Sequence, residues 1–309
     1  MLTLVEAQKY SLDTLLKGVI ETIVTESDVL KKLPFKTVVG NALKYNRENT
    51  LPAAGFYSVG DTWTESTQTV TAVTSSLTIL GGDADVDMFE KQTLQNLQDT
   101  EAVTISSKSK AIARKFDDTF VYGDTAVNAK EFDGLHKLMP AGGKIHQGSG
   151  STVAALSMAK LDEMIDAVKP GRPQALVMNK TMRRRIKAYY RGTSGFVQEV
   201  GEDGKPLFFY GDIPVLLDDW IVNTETIASG DYSAKTGGTG TSIFACKFGE
   251  DEKGVTGLQN GTIQKEDLGK LETKDAKRWR LKWYCGLALF SALALGRVDG
   301  IDSAAAVVV

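Results

Sequence analysis

The sequence predicts an α+β fold, and three observations carry that prediction. Several segments space apolar residues three and four apart, as an amphipathic helix does. Others are β-branched runs bounded by glycine or proline, as strands are. The two kinds are intermixed without the regular strand-helix-strand rhythm of a parallel α/β sheet. With 309 residues, 42% of them hydrophobic, the chain has material for one large or two modest cores.

Taken in order, residues 6–24 carry Leu12, Leu15, Leu16, Val19, Ile20 and Ile23, the stripe of an amphipathic helix. Residues 31–51, punctuated by Pro34 and Gly40, read as an extended arm with a short strand near 37–39. Residues 52–87 are rich in Thr, Ser, Val and Gly and hold no Lys or Arg; their charges are Asp61, Glu65, Asp83, Asp85 and Asp87. Within them, TQTVTAVTSSLTIL (67–80) is strand-prone and ends at Gly81-Gly82, so a long two-stranded ribbon is expected, with an earlier segment as its second strand. A lone ribbon buries too little surface to offset its ordering entropy, so it should rest on another molecule.

At Asp87 the period changes. Asp87 is a candidate cap for a helix bearing Leu94, Leu97, Ile105, Ile112, Phe116 and Phe120, ended by Gly123 and open to interruption by VTISS (103–107). Unbroken, it would span roughly 50 Å. A glycine-rich stretch (141–151) leads to a second amphipathic helix with Leu156, Leu161, Met164, Ile165 and Val168, stopped by Pro170-Gly171. A buried strand (175–178), a basic helix (180–190) and strands 207–210 and 213–217 around Gly211-Asp212 follow. SGDYSAKTGGTGT (229–241) reads as a polar surface loop; 243–248, 261–265 and the long 276–288 read as strands.

The composition excludes several functions. Net charge is −3, from 36 Lys and Arg against 39 Asp and Glu, so no global basic field marks a dedicated nucleic-acid binder. Cys246 and Cys285 form no metal or redox motif and read as small buried hydrophobes. The charged residues within 1–24 rule out a signal-peptide core, and the apolar run 283–295 falls short of the ~20 residues that span a bilayer. No membrane partner is expected.

Catalytic chemistry is weakly supported. His136 and His146 lie in glycine-rich sequence without metal-ligand spacing, so both read as surface residues. GGTGTS (237–242) lacks the Lys-Ser/Thr ending of a phosphate loop, and Ser149 and Ser151 lack the strand that precedes a nucleophile elbow. The pairs Asp117-Asp118 and Asp218-Asp219 read as turn and helix-end residues, because adjacent side chains diverge. No enzyme activity, cofactor or metal is expected. The sharpest charge feature is Arg183-Arg184-Arg185 beside Lys180, Lys187 and Arg191, either a solvated helix face or a contact for an acidic neighbour or for DNA.

The order of these features resembles the HK-97-type major capsid proteins of tailed double-stranded DNA bacteriophages, over about residues 30–305. The most specific stretch is AIARKFDDTFVYGDTAVNAKEFDGL (111–135), similar to the family's Ala-rich helix, acidic pair, Gly-Asp and Gly-Leu turn. LSMAKLDEMIDAV, ALVMNKTMRRRIKAYYRG, LFFYGDIPVLLDD and RWRLKWYCGLALFSALALGRVDGI follow in the family's order. The resemblance implies an N-terminal arm (1–51), an extended loop (52–87), a peripheral domain (88–150 and 258–292) and an axial domain (151–257 and 293–309) at five- and six-fold axes, with 229–241 pointing toward the axis.

It also implies a virion protein that assembles in the host cytoplasm into hexamers and pentamers of itself. Its partners would be a separate scaffolding protein, a portal protein, a decoration protein and packaged DNA bound without sequence specificity. The chain begins almost directly at the arm, which fits a separate scaffold or prior processing. Some members cross-link through a loop lysine; this chain has none from residue 52 to 90, so no cross-link is expected. Asp61, Trp63 and Glu65 are the candidate contacts on the loop, and Arg183, Arg184 and Arg185 those on the receiving surface, with 270–280 as a second receiving segment. A tail or baseplate protein, an encapsulin-like compartment shell and a soluble hydrolase are the alternative readings.

Overall fold

The computed structural model describes Ile23 and residues 27–50, 52–67, 69–94, 100–169, 171–193, 198–200, 206–250 and 253–308. The helix expected over 6–24 lies outside the described residues except for Ile23, which is fully buried. Helix α1 (Asp28–Lys32) is capped by Ser27, whose Oγ accepts from Leu30 N at 3.1 Å and donates to Asp117 at 2.6 Å. One hydroxyl thus starts a helix and ties it to the body.

Strand β1 (Phe35–Thr37) follows, and then β2 (Ala42–Thr50) pairs antiparallel with β3 (Thr69–Ser76) to make the expected ribbon. Its earlier strand comes from the segment expected to be an irregular arm. Gly81-Gly82 does not end a strand: β4 (Thr78–Asp87) runs straight through both glycines, and the break falls at Leu77. Gly81 serves close packing instead: a Cβ there would run into the Leu281 carbonyl, whereas one at Gly82 would meet only the flexible end of the Lys108 side chain.

Asp87 does cap a helix, accepting from Phe89 N at 2.8 Å, but that helix is the short α2 (Met88–Leu94). The long helix α3 (Thr100–Tyr122) is separate among the described residues and, at 23 residues, about 35 Å long. VTISS does not interrupt it. Ile105 faces the core, and hydroxyls farther along are satisfied inside the helix: Ser109 Oγ donates to the Ile105 carbonyl and Thr119 Oγ1 to that of Lys115, both at 2.8 Å. Gly123 ends it, donating to the Thr119 carbonyl where a Cβ would clash with the Phe132 and Thr119 carbonyls.

After α4 (Leu135–Leu138) and β5 (Lys144–His146) come α5 (Met158–Ala167), β6 (Ala175–Met178), α6 (Lys180–Thr193), β7 (Gln198–Val200), β8 (Pro206–Tyr210) and β9 (Ile213–Leu217). The segment read as a polar loop instead holds most of a hairpin, β10 (Thr226–Ala228) and β11 (Asp231–Ala234), turned by Ser229 and Gly230, both at positive φ. β12 (Gly240–Cys246), β13 (Val255–Gln259), β14 (Gln264–Lys270), β15 (Ala276–Leu289) and β16 (Leu295–Asp302) complete the chain.

Two large sheets result. In one, β15 pairs along its length with β4 on one edge and with β13 and β14 on the other, and β1 adds to β13 in parallel. The other has the order β5-β16-β12-β6-β9-β8-β7 and mixes parallel and antiparallel pairs. All four residues of β6 are buried because this sheet is covered on both faces. Val177, Leu216, Phe244 and Cys246 face α3 and the first sheet; Leu176, Met178, Val215, Ile243 and Ala245 face α5 and α6. The first core centres on Phe116, whose ring lies 4.9 Å from Trp283 and 5.5 Å from Phe132. Cys246 and Cys285 are free and buried, as expected.

Candidate functional site

The ribbon is held to the body near its base. There Tyr45 packs on Phe290 at 4.8 Å between ring centres, and Arg47 donates to the Leu289 carbonyl at 2.8 Å. Farther out, residues 52–67 form a tip in which every described residue except half-buried Tyr57 is exposed. Phe56 and Val59 are fully exposed and Trp63 is 76% exposed, its indole stacked on Tyr57 at 4.3 Å. Asp61 accepts from Ser58 N at 2.6 Å and closes a turn, and Glu65 is exposed beside it. Apolar and acidic groups therefore share one projecting tip with no cation of its own.

Asp83 and Asp85 are instead paired within the chain. Arg278 grips Asp85 through two hydrogen bonds of 2.6 and 2.8 Å, and Arg280 grips Asp83 at 2.7 and 3.0 Å, across the β4–β15 ladder. Those arginine hydrogen bonds hold both carboxyls below the usual aspartate range. The segment 270–280, expected as a second receiving surface, thus engages the acidic stretch of its own chain.

The three arginines on α6 differ. Arg185 donates to the carbonyls of Ser303 and Ala304, at 3.2 and 2.6 Å, and clamps the C-terminal turn. Arg184 is exposed, and Arg183 is half-buried beside Lys187. Burial, then repulsion from Arg183 and Arg191, lowers the Lys187 pKa. No described hydrogen bond or ion pair joins these arginines to Asp61, Trp63 or Glu65 within the chain.

Both histidines depart from expectation. His136 is buried and His146 is mostly so, because the β10–β11 hairpin folds over them. His136 Nδ1 lies 2.8 Å from a guanidinium nitrogen of Arg297, which is itself fully buried and paired with Asp299 and Asp231. His136 Nε2 lies 3.2 Å from Glu225, whose carboxylate also accepts from Tyr122 at 2.7 Å and Ser242 at 2.5 Å. His146 Nδ1 meets Asp299 at 2.7 Å, and Lys144 meets Asp231 at 2.6 Å. The sequence signal for this network was Arg297-Val298-Asp299: two charges at alternate positions of an otherwise apolar strand point to the same side.

The acidic pairs diverge as expected. Asp117 turns inward to Ser27 while Asp118 turns out to Lys115 and Lys235; Asp218 accepts from Trp220 N at 2.8 Å while Asp219 meets Lys180. Burial pushes the Asp218 pKa up to about 7. Near them, Asp28, Arg114, Asp117, Lys180, Leu217, Asp219 and Trp220 line a polar cavity of about 440 Å³. Among the described residues, no His, Cys, Asp and Glu cluster suits a metal, and no helix is long and apolar enough to cross a membrane.

No protein-family model and no curated protein sequence matches the chain. Solved structures do. An encapsulin from Synechococcus elongatus, in its holo complex, is 14% identical with a TM-score of 0.69, over 90% of this chain and 88% of that one. The capsid of a native GTA particle is 13% identical at 0.63, covering 89% and 90%. A structure from Mycobacterium phage Bobi is 14% identical at 0.59, covering 88% and 89%. The fold is that of the HK-97-type capsid proteins, an α+β architecture.

Proposed function

We propose that this HK-97-type chain is a shell subunit, the major capsid protein of a tailed double-stranded DNA phage, assembling as hexamers and pentamers into an icosahedral head. One observation carries the reading: a projecting ribbon leaves Phe56, Val59 and Trp63 in water. Such a tip gains burial only against a neighbour, and symmetric assembly repeats that small contact around the whole shell. Asp61 and Glu65 would set its register on a basic patch of the next copy, with Arg184 the most accessible cation of the triplet.

Under this reading the chain is structural and not catalytic, and it resides in the virion after assembly in the host cytoplasm. Scaffolding, portal and decoration proteins are its partners, and packaged DNA is touched without sequence specificity. The arm, extended-loop, peripheral and axial boundaries expected from the sequence belong to the same proposal.

Negative-stain electron microscopy of the purified chain, alone and with its scaffold, tests the reading. Closed icosahedral particles or five- and six-membered rings support it; open tubes favour a tail protein; persistent monomers in both preparations overturn both. The TM-score of 0.69 to the encapsulin favours a second reading, a compartment shell around protein cargo. Nuclease-protected DNA inside particles from the native source supports the phage head, and DNA-free particles filled with protein support the compartment.

A further inference from the structure

The hairpin β10–β11 forms a two-stranded sheet of its own, tied to the seven-stranded sheet at its base, where Glu225 and Gly240 of β12 exchange backbone hydrogen bonds of 2.9 and 3.1 Å. A hairpin of this size is marginal alone, so beyond that bridge its place depends on side-chain anchors. From β11, Asp231 reaches Arg297 at 2.9 Å and the Tyr232 ring stacks on His136 at 3.9 Å. These two converge on one imidazole and one guanidinium, beside the holds of Lys144 on Asp231 at 2.6 Å and of Ser151 Oγ on Ser229 N at 3.2 Å.

That imidazole can fill its place only when neutral. A guanidinium donates and never accepts, so Nδ1 of His136 must be the acceptor, and the ring proton sits on Nε2, facing Glu225. Protonation would set an Nδ1–H against an Arg297 N–H at 2.8 Å. We propose that His136 is an acid-released latch: once protonated it loses Arg297, and the β10–β11 hairpin parts from β16 while both cores stay folded.

The groups facing His136 set the sign. From α3, Tyr122 stacks on its ring, and Lys235 lies over that tyrosine ring at 4.9 Å. From β16 and β5, Asp299 stands behind Arg297, and His146 and Lys144 contact Asp299 and Asp231. From α4 itself, Lys137 turns outward to Asp124. Burial, seconded by Arg297, outweighs the attraction of Glu225 and Asp299 and lowers the His136 pKa below 6.5. The open state therefore binds the extra proton, and the latch weakens as pH falls below about 6.5.

Amide exchange by mass spectrometry on the full chain, expressed as protection relative to intrinsic rates, tests this between about pH 7.5 and pH 5. One proton taken up 1.5 pH units below the free imidazole value opens residues 226–234 by up to about 30-fold, tenfold per unit at most, while α5 is unchanged. His136→Gln offers a carbonyl to Arg297 and an N–H to Glu225 without titrating, and should flatten the profile. Unchanged wild-type protection, an equal acid response in H136Q, or parallel loss in α5 overturns the latch. If H136Q does not fold, the wild-type slope decides: one proton supports His136 alone, and two protons, which would enlist His146, overturn it.

Discussion

Replacing Trp63 by alanine separates the stability of the subunit from the stability of the assembly. A tryptophan side chain offers up to about 250 Å². At 76% exposure, roughly 190 Å² of it remains for a partner to bury, worth up to ~5 kcal/mol at ~25 cal/mol/Å². Ordering and desolvation at an interface consume part of that, leaving about 2 kcal/mol for a central aromatic anchor. The critical concentration for assembly should therefore rise about 30-fold in W63A, read as the onset of light scattering over a dilution series. The unassembled subunit loses only the stacking on Tyr57, about 1 kcal/mol at most, so its unfolding midpoint should barely move. A W63A variant that assembles at the wild-type concentration would refute the reasoning. So would one whose subunit unfolds early, since the tip would then belong to the core.

Three further outcomes are expected. Reversing Asp61 and Glu65 to Lys should impair assembly, seen by sedimentation, while circular dichroism of the subunit stays native. Asp218 is held mostly neutral below about pH 7 by burial, so the stability it contributes is lost progressively as pH rises from the ordinary aspartate value toward that one; Asp218→Asn should raise the denaturation midpoint most at pH 8 and distinctly less at pH 5. With no lysine from residue 52 to 90, assembled shells boiled in detergent should run as monomers on a gel, and a ladder of covalent oligomers would contradict the expectation.

Much of the fold was legible in local pattern. β6 and β9 fall on the residues expected, since a short apolar run between turn signals admits few boundaries, and β15 extends its expected strand by one residue. Errors arose where long-range packing decided the local structure. Gly81-Gly82 signals a turn in isolation, yet both glycines pair with β15, whose backbone approaches Gly81 too closely for a side chain. VTISS favours a strand by composition, but it is carried as helix by the core-facing Ile105. His136 reads as exposed because it lies in a glycine-rich region of the sequence, whereas its neighbours in space come from residues 122, 225, 232 and 297. The exposed tip was legible from its lack of cations, while the self-pairing of Asp83 and Asp85 required the β4–β15 register.

The seven-stranded sheet is a shared wall. On β12, Ile243 and Ala245 press into one core while Phe244 and Cys246 press into the other, so neither core can shift without moving the partition that bounds both. Bending the subunit would open voids on one side and crowd the other. Pieces fastened outside the wall, the projecting ribbon and the β10–β11 hairpin, are bound by no such constraint. A shell built from such subunits would behave as a mosaic of stiff tiles, changing curvature at the grout lines between copies while each tile keeps its shape.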